Sequence, residues 1–469
     1  MKPKFQSSSV LLSCLLSVIV FNSCGSKHVE ETPEDVRIAV IPSMKEAQRH
    51  FYHAWLADCV NEEPYIGEER AIHDLTDEAT KRINGAINND TIKSFFGAEE
   101  LLWGPVLSVN YVESSTDKYV VDNLMYCLGR KDSVGQYHFM VAIAGTDAIS
   151  SFDWMDEDLD VLQQKPWLEG TMISAGAMNG YQNLVGFRDN GVGIDSFLRM
   201  KARLYPGMEV EVAGHSLGGA LTQVMASHFN DQLKDVGSGI SVTAWVYAGP
   251  TAGNKAFADS LVQQLAGYYA YDNTLDVVPH AWEMDQVIEI CNLYNGFELC
   301  GNTMEPNIWI KGVARYIQAL AANTGDYTQP VSSVPPFTGK HFLSADTTGC
   351  AAVLAGTKKA WGDSGYPIDL YQNLNSLSGQ CGYKTDVTEP EFNQFAFFLA
   401  EMGAQHLNAY FDHFFDNTPI ATSLPQYVPG NSGTFIDWDA ADILSDFIEN
   451  AAGYLKAQGI SDCDCQSLQ

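Results

Sequence analysis

The chain has 469 residues, of which 46% are hydrophobic and 18% charged, with 27 basic against 58 acidic side chains and a formal charge of −31. That length and apolar content suffice for one large domain with insertions or for two domains. The charge excludes nucleic acid as a partner, since nothing here could neutralise a phosphate backbone.

The N-terminus carries Lys2 and Lys4, a nearly unbroken apolar run from Val10 to Phe21, and Ser23-Cys24-Gly25-Ser26. This is the order of an export signal, with a run too short to span a bilayer. Cys24 directly after the apolar run resembles the lipidated cysteine of a bacterial lipoprotein, although Phe21 replaces the leucine common there; Cys14 fits locally but leaves almost no apolar region before it. The expectation is a signal at 1–23, an acidic tether at 24–36 and a lipid anchor holding the protein to a cell-envelope membrane. Beyond Cys24 lie eight cysteines, an even number in an exported chain, and Cys291 with Cys300 and Cys350 with Cys381 are the expected local disulfides. No Cys/His spacing calls for a metal.

Residues 37 to 100 read as helical, with Ala47, Phe51, Ala54, Trp55 and Cys59 on one face, and a second, polar helix starting near Thr76 to Glu78. Strand-like runs follow at Asn123 to Leu128 and Gln136 to Ala144, joined through the polar turn 131–135. The second runs into Gly145-Thr146, where the Thr146 N–H is placed to donate to an anion. Between residues 149 and 161, Phe152, Met155 and Leu159 fall at helical spacing opposite a run of acids, giving an amphipathic helix whose apolar face must cover something.

The most informative stretch is Glu209 to Ala220, an extended run ending in Gly214-His215-Ser216-Leu217-Gly218 and turning into a helical pattern. The glycines around Ser216 answer to the crowding of a sharp strand-to-helix turn that exposes the hydroxyl. Ser216 is thereby a candidate nucleophile, and the Leu217 N–H at the helix start a candidate oxyanion donor. Further on, Asp276 follows the strand-like run Gly267 to Tyr271 in a turn closed by Pro279, where an orienting carboxylate belongs.

Tyr205-Pro206-Gly207, the elbow, Ala248 to Asn254 and Asn273 to Pro279 together resemble, in order, the blocks of the class 3 (fungal-type) lipases of the α/β-hydrolase fold, over about residues 120 to 280. The resemblance implies a mostly parallel central sheet flanked by helices, Ser216 as nucleophile, Asp276 as acid, Thr146 and Leu217 as oxyanion donors, and 149–161 as a lid with Trp154 near its start. Ala144 stands where the family usually has arginine. For the base, His280 is too near Asp276 in sequence, His341 has the family-like spacing, and His406, followed by Leu407 and Tyr410-Phe411, has the family-like surroundings; His406 is preferred, with His341 and then His413 as alternatives. Choosing His406 makes 37–282 the first part of the core, 283–390 an insertion or cap with an isolated helical stretch from Lys311 to Ala322, and 391–469 the completion of the core. The expected activity is hydrolysis of lipid esters through an acyl-enzyme, without cofactor; the contrasting reading is an inactive surface lipoprotein of the same fold that holds lipid or glycan.

Overall fold

The computed structural model describes residues 41–60, 65–112, 118–145, 161, 163–237, 239–306, 310–311, 327–343, 350–351, 353–354 and 389–421. A seven-stranded sheet runs through the centre, from β1 (Tyr65–Ile66), β2 (Glu100–Val112) and β3 (Lys118–Lys131) through β4 (Tyr137–Ile143) to β5 (Glu209–His215), β6 (Ser241–Tyr247) and β7 (Gly267–Tyr271). β2, β3 and β4 pair antiparallel, whereas β4, β5, β6 and β7 are parallel and in that spatial order. This is an α/β-hydrolase-like sheet, and all four parallel strands point their carboxyl ends to one edge.

Side chains alternate between two apolar layers, as the period of a strand requires. Leu124, Tyr126, Met140, Ala142, Ala213 and Tyr247 face α1 (Met44–Ala57), α2 (Glu68–Ile87) and α3 (Asp90–Phe96). Met125, Cys127, Val141, Ile143, Val210, Val212 and Val246 face the opposite layer, built by α4 (Ala175–Gly186), α5 (Ile194–Leu204), α6 (Leu217–Leu233) and α7 (Lys255–Gln264). The short helix α8 (Met284–Glu289) follows, and the described chain ends with α9 (Glu389–His406) and α10 (Asn408–Phe415), the latter packing Phe414 and Phe415 against Phe51 of α1. Fully burying such aromatic side chains stabilises the fold by roughly 2–3 kcal/mol each. Among the described residues no helix is long and apolar enough to cross a membrane.

Helix α1 forms where expected, capped by Ser43, whose side chain accepts the Glu46 N–H. Its polar positions are buried as well as its apolar ones. Arg49 reaches Glu211 in the middle of β5 at 2.7 Å and Glu99 at 3.1 Å, and His53 meets Glu99 at 2.7 Å. Burial pushes the Glu99 carboxyl up, but His53 and Arg49 beside it outweigh that and hold it at about 2. Tyr247 and Tyr126 donate to the Ala47 and His53 carbonyls, so the helix is hydrogen-bonded to the sheet it covers.

Two expectations are corrected, and one strand was not anticipated. The second helix starts at Glu68, well before Thr76. The region read as helical does carry α1, α2 and α3, and the unanticipated element after it is the long strand β2, disguised by Gly104-Pro105, which sit where the pairing with β3 slips between Trp103 and Val106. Cys300 bridges to Cys350, with neither local pairing formed, because Cys291 is buried in the helical turn Ile290–Asn292 while Cys300 sits in a tight turn (φ 52°) beside the end of the 327–343 segment. Lys311 aside, the stretch to Ala322 lies outside the described residues, as does Cys381.

Candidate active site

The last residues of β5 make a strand-to-helix turn in which Ser216 takes φ 57° and ψ −127°. A side chain other than glycine's is strained there, at a cost of order 1–3 kcal/mol, and the surroundings must hold it. They do so through the Ser216 N–H, which donates to the Tyr247 carbonyl on β6 at 2.9 Å, and through the Gly219 N–H, which returns to the Ser216 carbonyl at 2.8 Å. The flanking glycines are dictated by space. A Cβ on Gly214 would lie 2.1 Å from the Gly218 carbonyl oxygen, and one on Gly218 would lie 2.6 Å from the carbonyls of Ile143 and Ala144. The end of β4 is therefore pressed directly against the start of α6.

Leu217 is the first residue of α6, so no helical carbonyl precedes its N–H. On the β4 side, the Gly145 N–H donates to the Asp58 carboxylate at 2.6 Å, which ties the residue before Thr146 to the C-cap of α1. Thr146, Trp154 with nearly all of the 149–161 segment, and Cys24 lie outside the described residues.

Asp276 and His406 arrive from two other segments. Asp276 follows β7 in a turn whose Asp276 N–H bonds the Asn273 carbonyl at 2.9 Å. Its Oδ1 accepts the Val278 N–H at 3.0 Å, and its Oδ2 lies 2.9 Å from His406 Nδ1. A carboxylate only accepts, so Nδ1 carries the proton and Nε2 is left as an acceptor. Nε2 lies 2.9 Å from Ser216 Oγ. Asp276 is fully buried, His406 nearly so, and Ser216 is partly exposed. The arrangement is a linear proton path from a solvent-reachable hydroxyl to a buried carboxylate, able to activate the hydroxyl as a nucleophile.

His406 is the last residue of α9. The structure brings Ser216, Leu217, Asp276 and His406 together and places the other histidines elsewhere. His341 sits against Phe297 and faces Glu401, His413 stacks on Phe337, and His280 Nδ1 bonds the Asp276 backbone carbonyl, not its carboxylate. One neighbour went unread in the sequence. His215, adjacent to the serine, donates from Nε2 to the His406 carbonyl at 3.1 Å, and burial, followed by the proximity of His406, holds its pKa well below the ordinary histidine value. Its position next to Ser216 was the available signal.

Residues 140–285 match the family model described as Lipase (class 3). Among solved structures the chain resembles that of the M37 lipase, with TM-score 0.53 and 20% identity over 87% of this chain and 100% of that one. It also resembles the lipase from Rhizopus microsporus var. chinensis, with TM-score 0.34 and 18% identity over 55% of this chain and 79% of that one, and the Rhizomucor miehei triacylglyceride lipase, with TM-score 0.33 and 15% identity over 51% and 75%. The M37 likeness agrees with the α/β-hydrolase-like sheet, and the matched segment, which begins within β4 and carries the elbow and Asp276, is similar to class 3 lipases.

Proposed function

We propose that this protein hydrolyses carboxylic esters of lipids by a double displacement at Ser216. The reading is carried by one observation, the unbroken path Ser216 Oγ, His406 Nε2, His406 Nδ1, Asp276 Oδ2, with both hydrogen bonds at 2.9 Å. His406 Nε2 takes the Ser216 proton as Oγ attacks the ester carbonyl, and Asp276 holds the imidazole in the receptive tautomer. The oxyanion is met by the Leu217 N–H and, by resemblance, the Thr146 N–H, each donor worth about 10² to 10³ in rate. His406 then protonates the departing alcohol, leaving an acyl ester on Ser216. Water enters, His406 removes one proton as its oxygen attacks the acyl carbonyl, and His406 returns that proton to Oγ as the carboxylic acid leaves, to ionise in solvent. The protons moved between Ser216, the departing alcohol and the attacking water pass through His406, and the chemistry requires neither metal nor nucleotide.

Under the same proposal the protein is exported, lipidated at Cys24 and held to the membrane through the acidic tether 24–36. The segment 149–161, with Trp154, covers an acyl pocket, and 283–390 is an insertion into the hydrolase core. The test is labelling of the purified protein with a fluorophosphonate probe. Labelling lost in Ser216→Ala and His406→Ala but kept in His341→Ala is expected, and a p-nitrophenyl ester series then sorts short from long acyl chains. A folded wild type that does not label would replace this reading with that of a lipid- or glycan-holding lipoprotein.

A further inference from the structure

Three segments meet behind His406, and one of them belongs to the inserted part of the chain. Glu401 and Gln405, on the last turns of α9, are both fully buried. Glu401 clasps the backbone of the insertion with both oxygens, Oε1 accepting the Phe342 N–H and Oε2 the Leu343 N–H, each at 3.0 Å; His341 Nδ1 lies 3.4 Å from Oε1. Gln405 donates from Nε2 to the Lys340 carbonyl at 2.7 Å and to Glu401 Oε1 at 2.8 Å. Its Oε1 accepts from Asn273 Nδ2 at 2.7 Å, and Asn273 Oδ1 in turn accepts the Gly339 N–H at 2.8 Å. Asn273 stands three residues before Asp276, and Gln405 is the residue before His406. The network thus ties the acid turn, the base helix and residues 339–343 into one polar unit with no water-facing member among Asn273, Glu401 and Gln405.

Two further observations show that residues 339–343 are docked closely. A Cβ on Gly339 would fall 2.2 Å from Gln405 Oε1 and 2.9 Å from the Ala409 Cβ, so only glycine permits this approach. The far end of the segment is held by the Cys300 N–H, which donates to the Leu343 carbonyl at 3.1 Å, and Cys300 is itself bridged to Cys350.

We infer that residues 339–343 of the insertion are the rear support of the base, with Glu401, Gln405 and Gly339 acting as positioning residues for His406. The inference rests on the reading of His406 as the general base. A fully buried carboxylate and amide hold their geometry because any displacement leaves polar groups unpaired away from water. The end of α9 therefore cannot drift, and the imidazole is kept in register with both Ser216 and Asp276. This gives the insertion a role in turnover that is separate from contact with substrate.

The experiment compares wild type, Gly339→Ala, Gln405→Ala and the double variant, reading kcat and KM on a soluble p-nitrophenyl ester together with the low-field proton resonance of His406 Nδ1–H, identified by its loss in His406→Ala. Gly339→Ala is expected to lower kcat by about 10- to 100-fold with KM changed by no more than about twofold, and to shift or broaden the resonance. The double variant is expected to be little slower than Gln405→Ala, because the closest collision has gone. A folded Gly339→Ala with wild-type kcat and an unchanged resonance would overturn the inference, and so would a rise in KM at constant kcat, which would make the segment a wall of the substrate site. Should Gly339→Ala fail to fold, Glu401→Gln decides: it keeps the volume and one acceptor oxygen, a partial loss of kcat is expected, and wild-type kcat would be fatal. A wild type that shows the resonance without turning over ester would sink the esterase reading alone, since the support is still read through the resonance.

Discussion

Replacing Asp276 by asparagine isolates the contribution of proton placement from that of packing. The side chain keeps its volume, and its surroundings choose its orientation. The Val278 N–H, 3.0 Å from Oδ1, is a donor and must face an oxygen. The new amide nitrogen is thereby turned toward His406 Nδ1, 2.9 Å away, where a donor now meets the ring atom that carried the proton. The imidazole is driven to the tautomer protonated at Nε2, which donates toward Ser216 Oγ and can no longer receive its proton. The corresponding change in a serine protease triad lowers kcat by about 10⁴, or roughly 5.5 kcal/mol of transition-state stabilisation, and a loss of that order is expected here with KM little changed. The assay is kcat on a soluble p-nitrophenyl ester at neutral pH, with the rate of fluorophosphonate labelling as a second reading and circular dichroism as the check on fold. A loss of less than about tenfold would refute the argument, because it would mean that His406 does not depend on Asp276 for its tautomer.

Two further outcomes test the electrostatics of the fold. Arg49→Met leaves Glu99 and Glu211 buried without their shared cation and is expected to cost about 3–5 kcal/mol in denaturant unfolding. Because the Glu99 carboxyl is held below its ordinary value, its stabilisation is present above the usual glutamate range and lost as pH falls toward 2, so the deficit of the variant should shrink in acid; equal deficits at pH 7 and pH 3 would contradict the assignment. Asp272 is the opposite case. Its Oδ1 is shut off from water and makes no hydrogen bond among the described residues, and burial, reinforced by Asp276, pushes its pKa up to about 7. The folded state then binds a proton that the unfolded state releases, so Asp272 erodes stability as pH rises from about 4 to 7. Asp272→Asn should raise Tm more at pH 8 than at pH 5, and an equal change at both would show that Asp272 titrates normally.

The parts of this molecule legible in the sequence are those whose chemistry is local. The elbow declares itself because close approach demands Gly214 and Gly218, and β4 shows as a nearly continuous apolar run because both its faces are buried. Asp276 could be placed by the turn that follows β7. His406 was singled out by its neighbours Leu407 and Tyr410-Phe411, and the Tyr410 hydroxyl accepts the Asn273 N–H and so fastens the Asp276 turn to α10. What depends on distant partners was hidden. Arg49, His50 and His53 look like the wet face of an amphipathic helix, and only Glu99 and Glu211, contributed by the residue before β2 and the middle of β5, make them interior. The pairing of Cys300 with Cys350 follows from the path of residues 327–343 along β7, which no spacing of cysteines encodes.

The contact between α1 and α10 has a consequence for synthesis. Gln48 Nε2 donates to the Phe414 carbonyl across 366 residues of chain, and Phe51 packs against Phe414, Phe415 and Tyr410. A nascent chain that has produced the whole central sheet still has an open aromatic face beneath the elbow, and the Ser216 hydroxyl lacks the His406 imidazole. Such a chain is exposed to aggregation while it waits for α9 and α10, as expected where closing contacts are distant in sequence. It also has no means to attack an ester, so on the proposed mechanism hydrolytic competence and completion of the core arrive in the same step.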